Sequence, residues 1–448
     1  MKSTALFAIL LLSAGSALAQ SSPTKLNLQQ AVQLAVDKNP DLQKIRQNVN
    51  LAKADYLRAI GAFLPSAGAS LGATYSNGSQ YIAPTLPVKN SENRSYRWGF
   101  NANMNLFNSL SDLKGFTSSE YNLETAKLQF GRSVQTTVLD VTSNFLLALQ
   151  RQELLKIAAE DLSYQEEQLK KITEMTRLGS RPMVDLYNQQ YAKANAELNL
   201  INAQKNFEIA KSDLVALLSL DPTSEYDIEA PVLEGIKTDE QFSSLVPLLS
   251  SALNQRPDYQ AAKIGLKSRE NAVWQAWANY GPSLDLSWNW GANAASPSST
   301  GINVPTQLSD QRAYSVSLTL SVPIFDRFQT NYMVEQATVN LQNSQYDLEK
   351  MEKTIQIGVK QAWLDYKSYK KAYDASEAQF KAASLLKETA QERYNVGAGS
   401  YLELANATKD FVTAASNLTT SKYQFEFQKK VLEFYIGSLN PEDYVNIR

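Results

Sequence analysis

The chain has 448 residues, room for two or more ordinary domains, and carries 43 basic against 45 acidic side chains for a formal charge of −2. That balance excludes a nucleic-acid partner, which calls for a basic patch. The chain contains no His and no Cys, so the commonest general base and the commonest metal ligands are missing, and neither a cofactor nor a metal site is expected.

Residues 1–19 read as a secretory signal peptide. Lys2 supplies the positive start, Ala5 to Leu12 the apolar core, and Ala17-Leu18-Ala19 a cleavage site ahead of Gln20. The apolar run is shorter than the ~20 residues a membrane-spanning helix needs. Without a Cys behind the signal, N-terminal lipid attachment is also excluded. No later segment is long and apolar enough to cross a bilayer as a helix, so any span must be made of β-strands. The absence of thiols fits an oxidising compartment.

The mature chain repeats itself. Asn39-Pro40 returns as Arg256-Pro257, Leu64-Pro65-Ser66 as Gly281-Pro282-Ser283, Leu106-Phe107-Asn108 as Ile324-Phe325-Asp326, and Asp221-Pro222 as Asn440-Pro441. The offsets are 217, 217, 218 and 219 residues. The spacing divides the chain into a first repeat over 20–220, a linker over 221–241, a second repeat over 242–439 and a tail over 440–448. Each repeat reads as helix, two strands, a very long helix, a tight tip and a return helix. The first helices are expected over about 28–62 and 246–280.

Strands are expected over about 67–75, 96–106, 283–291 and 313–322. Trp98-Gly99-Phe100-Asn101-Ala102-Asn103-Met104 alternates apolar residues with Gly or Asn, and Tyr314 to Val322 alternates with Ser and Thr. Such strict period two gives one apolar and one small polar face. A soluble sheet would show the same alternation. A secretory signal, a nearly uncharged polar face and helices too long to fold over the hairpins favour a membrane sheet instead. Tyr75, Trp98, Trp288, Trp290 and Tyr314 are then candidates for interfacial girdles against outer-membrane lipid. Four strands cannot close a barrel, so other copies must complete it. The connecting segments 76–96 and 291–313, rich in Pro, Ser and Asn, are expected on the cell exterior.

Residues 108–178 and 326–396 are free of proline, and each would reach roughly 105 Å as a straight helix. Apolar residues step by four and three through Val134, Val138, Val141, Phe145 and Ala148, and again through Ile355, Val359, Ala362 and Tyr366, as in coiled coils. Return helices over 183–218 and 401–437 are half as long, so the first helix of each repeat is expected to cover the other half. Between long and return helices lie Arg177-Leu178-Gly179 with Val184-Asp185-Leu186, and Tyr394-Asn395-Val396-Gly397 with Leu402-Glu403-Leu404-Ala405-Asn406. Each glycine suits a left-handed helix stop.

Order and spacing of these motifs, with Val322-Pro323-Ile324-Phe325-Asp326 at a strand-to-helix junction, resemble the TolC-type outer-membrane efflux proteins over essentially the whole mature chain. The resemblance implies a mainly α protein with membrane β: a homotrimer forming a twelve-strand barrel in the outer membrane of a Gram-negative bacterium and an α-helical tunnel in the periplasm. It implies a passive duct for efflux or type I secretion, not an enzyme, opened when a periplasmic adaptor protein and an inner-membrane transporter dock. The tips Arg177, Leu178, Gly179, Val396 and Gly397 would be the adaptor contact. Tyr394 would hydrogen-bond Asp185 as the lock of the gate, and Glu403 would line the inner constriction. The family's second acidic position is Asn406 here, and its basic clamp position is Gly399. For Asp185 and Glu403 a plain helix N-terminal role is the alternative. For the whole chain the alternative is a non-conducting trimeric envelope protein or adhesin on the same scaffold.

Overall fold

A computed structural model describes residues 24–80, 89–230, 242–297 and 301–441; the signal-peptide reading lies outside them. In chain order the elements are β1 (Thr24–Leu26), α1 (Leu28–Lys38), α2 (Pro40–Gly61), β2 (Ser66–Gln80), β3 (Lys89–Asn108), α3 (Ser111–Arg177) and α4 (Met183–Leu217). There follow β4 (Tyr226–Ile228), α5 (Leu245–Gln255), α6 (Pro257–Ala278), β5 (Ser283–Ser296), α7 (Val304–Asp310), β6 (Arg312–Ser321), α8 (Gln329–Asn395) and α9 (Tyr401–Ile436).

The first helix of each repeat is broken in two, against expectation. Asn39 and Arg256 stand in extended backbone because each precedes a proline, whose ring disfavours the helical region at the residue before it. Asn39 then caps α2, its side chain accepting from the amides of Asp41 and Leu42. The 221–241 segment also holds an unexpected element, since β4 pairs in parallel with β1.

Strands β2, β3, β5 and β6 form one antiparallel sheet in that order. β2, β3 and β5 run longer than the alternation suggested, so much of 76–96 and the start of 291–313 are strand, while β6 keeps its expected length and α7 occupies part of 291–313. Register puts Ala69, Phe100, Trp290 and Tyr314 in one cross-strand row, and Leu71, Trp98 and Ala292 in another. Tyr75, Trp98, Trp288, Trp290 and Tyr314 therefore share one face. Ser70, Asn101, Asn289 and Ser315 lie on the opposite, polar side. Trp98, Phe100 and Trp290 cluster, with centroids 5.0–6.1 Å apart. Trp288 lies five residues from the helical end of its strand and the other four aromatics seven to ten. At that end Phe107, Phe325 and Phe328 are exposed, a second aromatic level not singled out in the sequence. Trp98 is partly covered: α7 lies beside it and the indole N–H donates to the Leu308 carbonyl at 3.4 Å.

Each strand-to-helix junction places two consecutive non-glycine residues in the left-handed region, Ser109 with Leu110 and Arg327 with Phe328. Such residues cost about 1–2 kcal/mol each. Asn108 and Asp326 offset this by accepting from the amides of Asp112 and Thr330. Arg327→Gly is expected to raise unfolding stability in detergent by about 0.5–1 kcal/mol, read from denaturant midpoints, because the exposed side chain contributes little else.

α3 and α8 each contain 67 residues, about 100 Å of helix. The half nearer the sheet is covered by α2 and α6, the far half by α4 on α3 and α9 on α8. Where the halves meet lie two apolar cores. One gathers Val32, Val138, Val141, Phe145 and Leu214, the other Phe242, Val359, Tyr366, Phe425 and Leu432. Beside them a polar knot closes the end of α9. Arg132 and Arg256 donate to the carbonyls of Phe434 and Tyr435 at 3.1 and 3.3 Å, satisfying helix-end acceptors with positive charge. Both reach Asp258, at 3.6 and 2.6 Å. Burial would push the Asp258 carboxyl up, but the Arg256 hydrogen bond and both arginine charges hold it below the ordinary carboxylate value. Burial and the neighbouring Arg256 bring Arg132 down to about 10.

Candidate gate at the hairpin tips

The tips form as the glycines dictate. Gly179 and Gly397 have φ of +74° and +78°. In each, the amide of the next residue reaches back five positions, Ser180 to the Met175 carbonyl and Ala398 to that of Arg393, both at 2.9 Å. These are Schellman closures, which satisfy the orphan carbonyls of α3 and α8. α9 is capped by Ser400, whose hydroxyl accepts from the Glu403 amide. Leu178 and Val396 project from the tips, 71% and 79% exposed, beside Arg177. The five docking candidates thus share the end of the molecule farthest from the sheet.

Tyr394 is only 3% exposed, but the expected hydrogen bond to Asp185 is not formed: the phenol oxygen has no hydrogen-bond partner among the described residues. Arg181 takes the place beside Tyr394. Its guanidinium lies 4.2 Å from the ring centroid and donates to the Tyr394 carbonyl at 3.1 Å. That carbonyl already accepts from Gly397, so both of its lone pairs are used. Burial pushes the Tyr394 phenol up; the Arg181 charge opposes this and Asp185 adds to it.

Two further ties join the hairpins. The Tyr401 hydroxyl donates to Gln189, whose amide in turn donates to the Gln165 carbonyl, both at 3.0 Å, linking α9, α4 and α3. The Tyr164 hydroxyl donates to Gln391, linking α3 and α8. Burial, with the neighbouring Tyr394 and Asp185, pushes Tyr401 up to about 12, so it remains a donor at neutral pH. Arg181 and Tyr401 lie inside the glycine motifs, yet helical spacing alone does not show which repeat each faces. Tyr164 and Gln391 carry no sequence signal.

Asp185 and Asn406 line a common groove of about 730 Å³ between α3, α4 and α9. Glu403 is instead bound to Arg393 at 2.8 Å. The Tyr401–Gln189 tie crosses this groove, joining α9 to α4.

The chain is thus a long helical shaft that ends in tied hairpins and is topped by a two-faced sheet. The family model described as outer membrane efflux protein matches residues 31–219 and 248–438, and the chain belongs to that family of outer-membrane channels. The TolC protein of Escherichia coli is 23% identical over 426 residues, 93% of this chain and 83% of that protein. Protein CyaE of Bordetella pertussis is 23% identical, over 87% of this chain and 79% of its own length. In fold, the outer membrane protein VceC of Vibrio cholerae superposes with a TM-score of 0.77 at 16% identity, covering 92% of this chain and 96% of that one. Among the described residues no helix is long and apolar enough to cross a membrane.

Proposed function

We propose that three copies assemble into a passive export duct in the outer membrane of a Gram-negative bacterium, with the helices in the periplasm. The observation that carries this reading is the sheet, apolar on one face and polar on the other, with β2 and β6 as free edges at the head of two 67-residue helices. Open edges cannot face lipid, and three four-stranded sheets close as a twelve-strand barrel. The polar face then lines a wet lumen that continues between the helices. At the far end, the apolar tips at Leu178 and Val396 dock a periplasmic adaptor, which together with an inner-membrane transporter supplies the energy. The Arg181–Tyr394, Tyr401–Gln189 and Tyr164–Gln391 ties hold the inner end closed until docking, with Asp185 biasing them electrostatically.

Purified protein inserted in a planar bilayer should give small, stable single-channel steps. Correctly inserted trimers without conductance in any variant would overturn the duct and favour a structural role. Glu403 is expected to contribute little cation preference while Arg393 neutralises it. Arg393→Ala, by releasing one carboxylate per copy, should raise the cation-to-anion permeability ratio, and Arg393→Ala/Glu403→Gln should return it to the wild-type value.

A further inference from the structure

The internal repeat shows how one copy meets the next. Within the chain, α3 of the first repeat packs on α6 and α9 of the second. The joint has a polar stripe. Asn271 donates to Thr117, Ser268 to Asn122, Gln275 contacts Ser118, and Arg132 reaches Asp258. The repeat mate of α3 is α8, offset by 218 residues, and the mate of α6 is α2, offset by 217. The corresponding joint, α8 against α2 and α4, is not packed within the chain.

We infer that a second copy of this chain completes that joint, with Lys350 of one copy facing Asp41 of the next and Gln336 facing Arg58. The inference rests on the oligomeric reading above and adds the residues that form its seam. Lys350 is the mate of Arg132 and Asp41 the mate of Asp258, so the charge signs of the internal pair are preserved. Arg58 is the mate of Gln275 and Gln336 the mate of Ser118, so the hydrogen-bonded Gln275–Ser118 contact inside the chain becomes an Arg58–Gln336 contact between copies. All four residues are exposed in the single chain. Asp41 and Arg58 hold only local partners there, Lys44 and Asp55, in surface pairs of small net worth that a new partner can displace. Leu51 is 70% exposed, although its mate Ser268 lies in the internal joint, so an apolar side chain stands in water where the repeat predicts cover. β6 and β2 are left as the free edges of the sheet on the same logic, because their mates β3 and β5 are paired.

The cysteine-free sequence makes the test clean. The full chain carrying Asp41→Cys and Lys350→Cys is purified in detergent, treated with a short bis-maleimide and run on a denaturing gel, beside each single variant and the pair Arg58→Cys with Gln336→Cys. Covalent dimers and trimers from both pairs, absent from the single variants, are expected. Light scattering on the same samples separates the two ways to fail. Trimers in solution with no covalent ladder from either pair overturn the seam and leave the duct standing. A monomer under conditions that preserve channel activity overturns the trimer and the seam together.

Discussion

Arg181→Ala channels should conduct several-fold more than wild type in planar bilayers, and Tyr394→Phe channels should conduct as wild type does. The contrast follows from the geometry. Tyr394 is engaged through its ring and its carbonyl, both by Arg181, while its hydroxyl makes no hydrogen bond. A cation over an aromatic face contributes about 0.5–2 kcal/mol, and a hydrogen bond from a charged donor about 1.5–3 kcal/mol. Arg181 is half-buried, so about 2 kcal/mol per subunit is a reasonable sum, and a symmetric assembly loses it in every copy at once. Asp185→Ala removes only a through-space charge and should raise conductance less than Arg181→Ala. A rise in Tyr394→Phe with none in Arg181→Ala would return the lock to the Tyr394–Asp185 pair expected from the family. The cation beside Tyr394 lies where the basic residue implied by the resemblance does not. Position 399 is glycine here, and the positive charge that steadies Tyr394 comes from the first hairpin instead.

Asp258→Ala should destabilise the protein by about 3 kcal/mol, measured by denaturant unfolding in detergent, because it leaves two largely buried arginines facing each other. Arg132 and Arg256 would keep their helix-end carbonyls but lose the Asp258 carboxylate that lies between them. The pH dependence carries its own sign. The Asp258 carboxyl is held below its unfolded value, so its contribution is complete above about pH 4 and fades as pH falls through the lower folded value. Wild type should therefore lose a stability increment on acidification that Asp258→Asn lacks. Equal acid sensitivity in the two proteins would assign that increment to other carboxylates. The knot lies where the two halves of the shaft meet, so the same loss should also loosen the end of α9.

Much of this protein is written in period and punctuation. Prolines 40 and 257, the glycines at 179 and 397, and the alternation through Trp98 to Met104 are local signals with local causes. They fix helix stops, strand faces and the order of elements without long-range contacts. The strand ends and α7 were less legible. The Ser- and Asn-rich flanks look like loop, yet backbone pairing across the hairpin carries β2 to Gln80 and β3 back to Lys89. The break at Asn39 was legible in principle, since Pro40 restrains the residue before it, but the apolar spacing runs through it unchanged.

The two-fold repeat, the long proline-free helices, the two-faced strands and the glycine tips are legible without the fold, because each depends on the side-chain period or backbone freedom of neighbouring residues. Only packing settles which groups meet between the repeats: Arg181 on Tyr394, Tyr401 with Gln189, Arg132 with Asp258. Those partners are separated by up to some two hundred residues, as Arg181 and Tyr394 are by 213. Helical period says which face a side chain occupies but not which neighbour that face meets, so the contact appears only when the helices are packed.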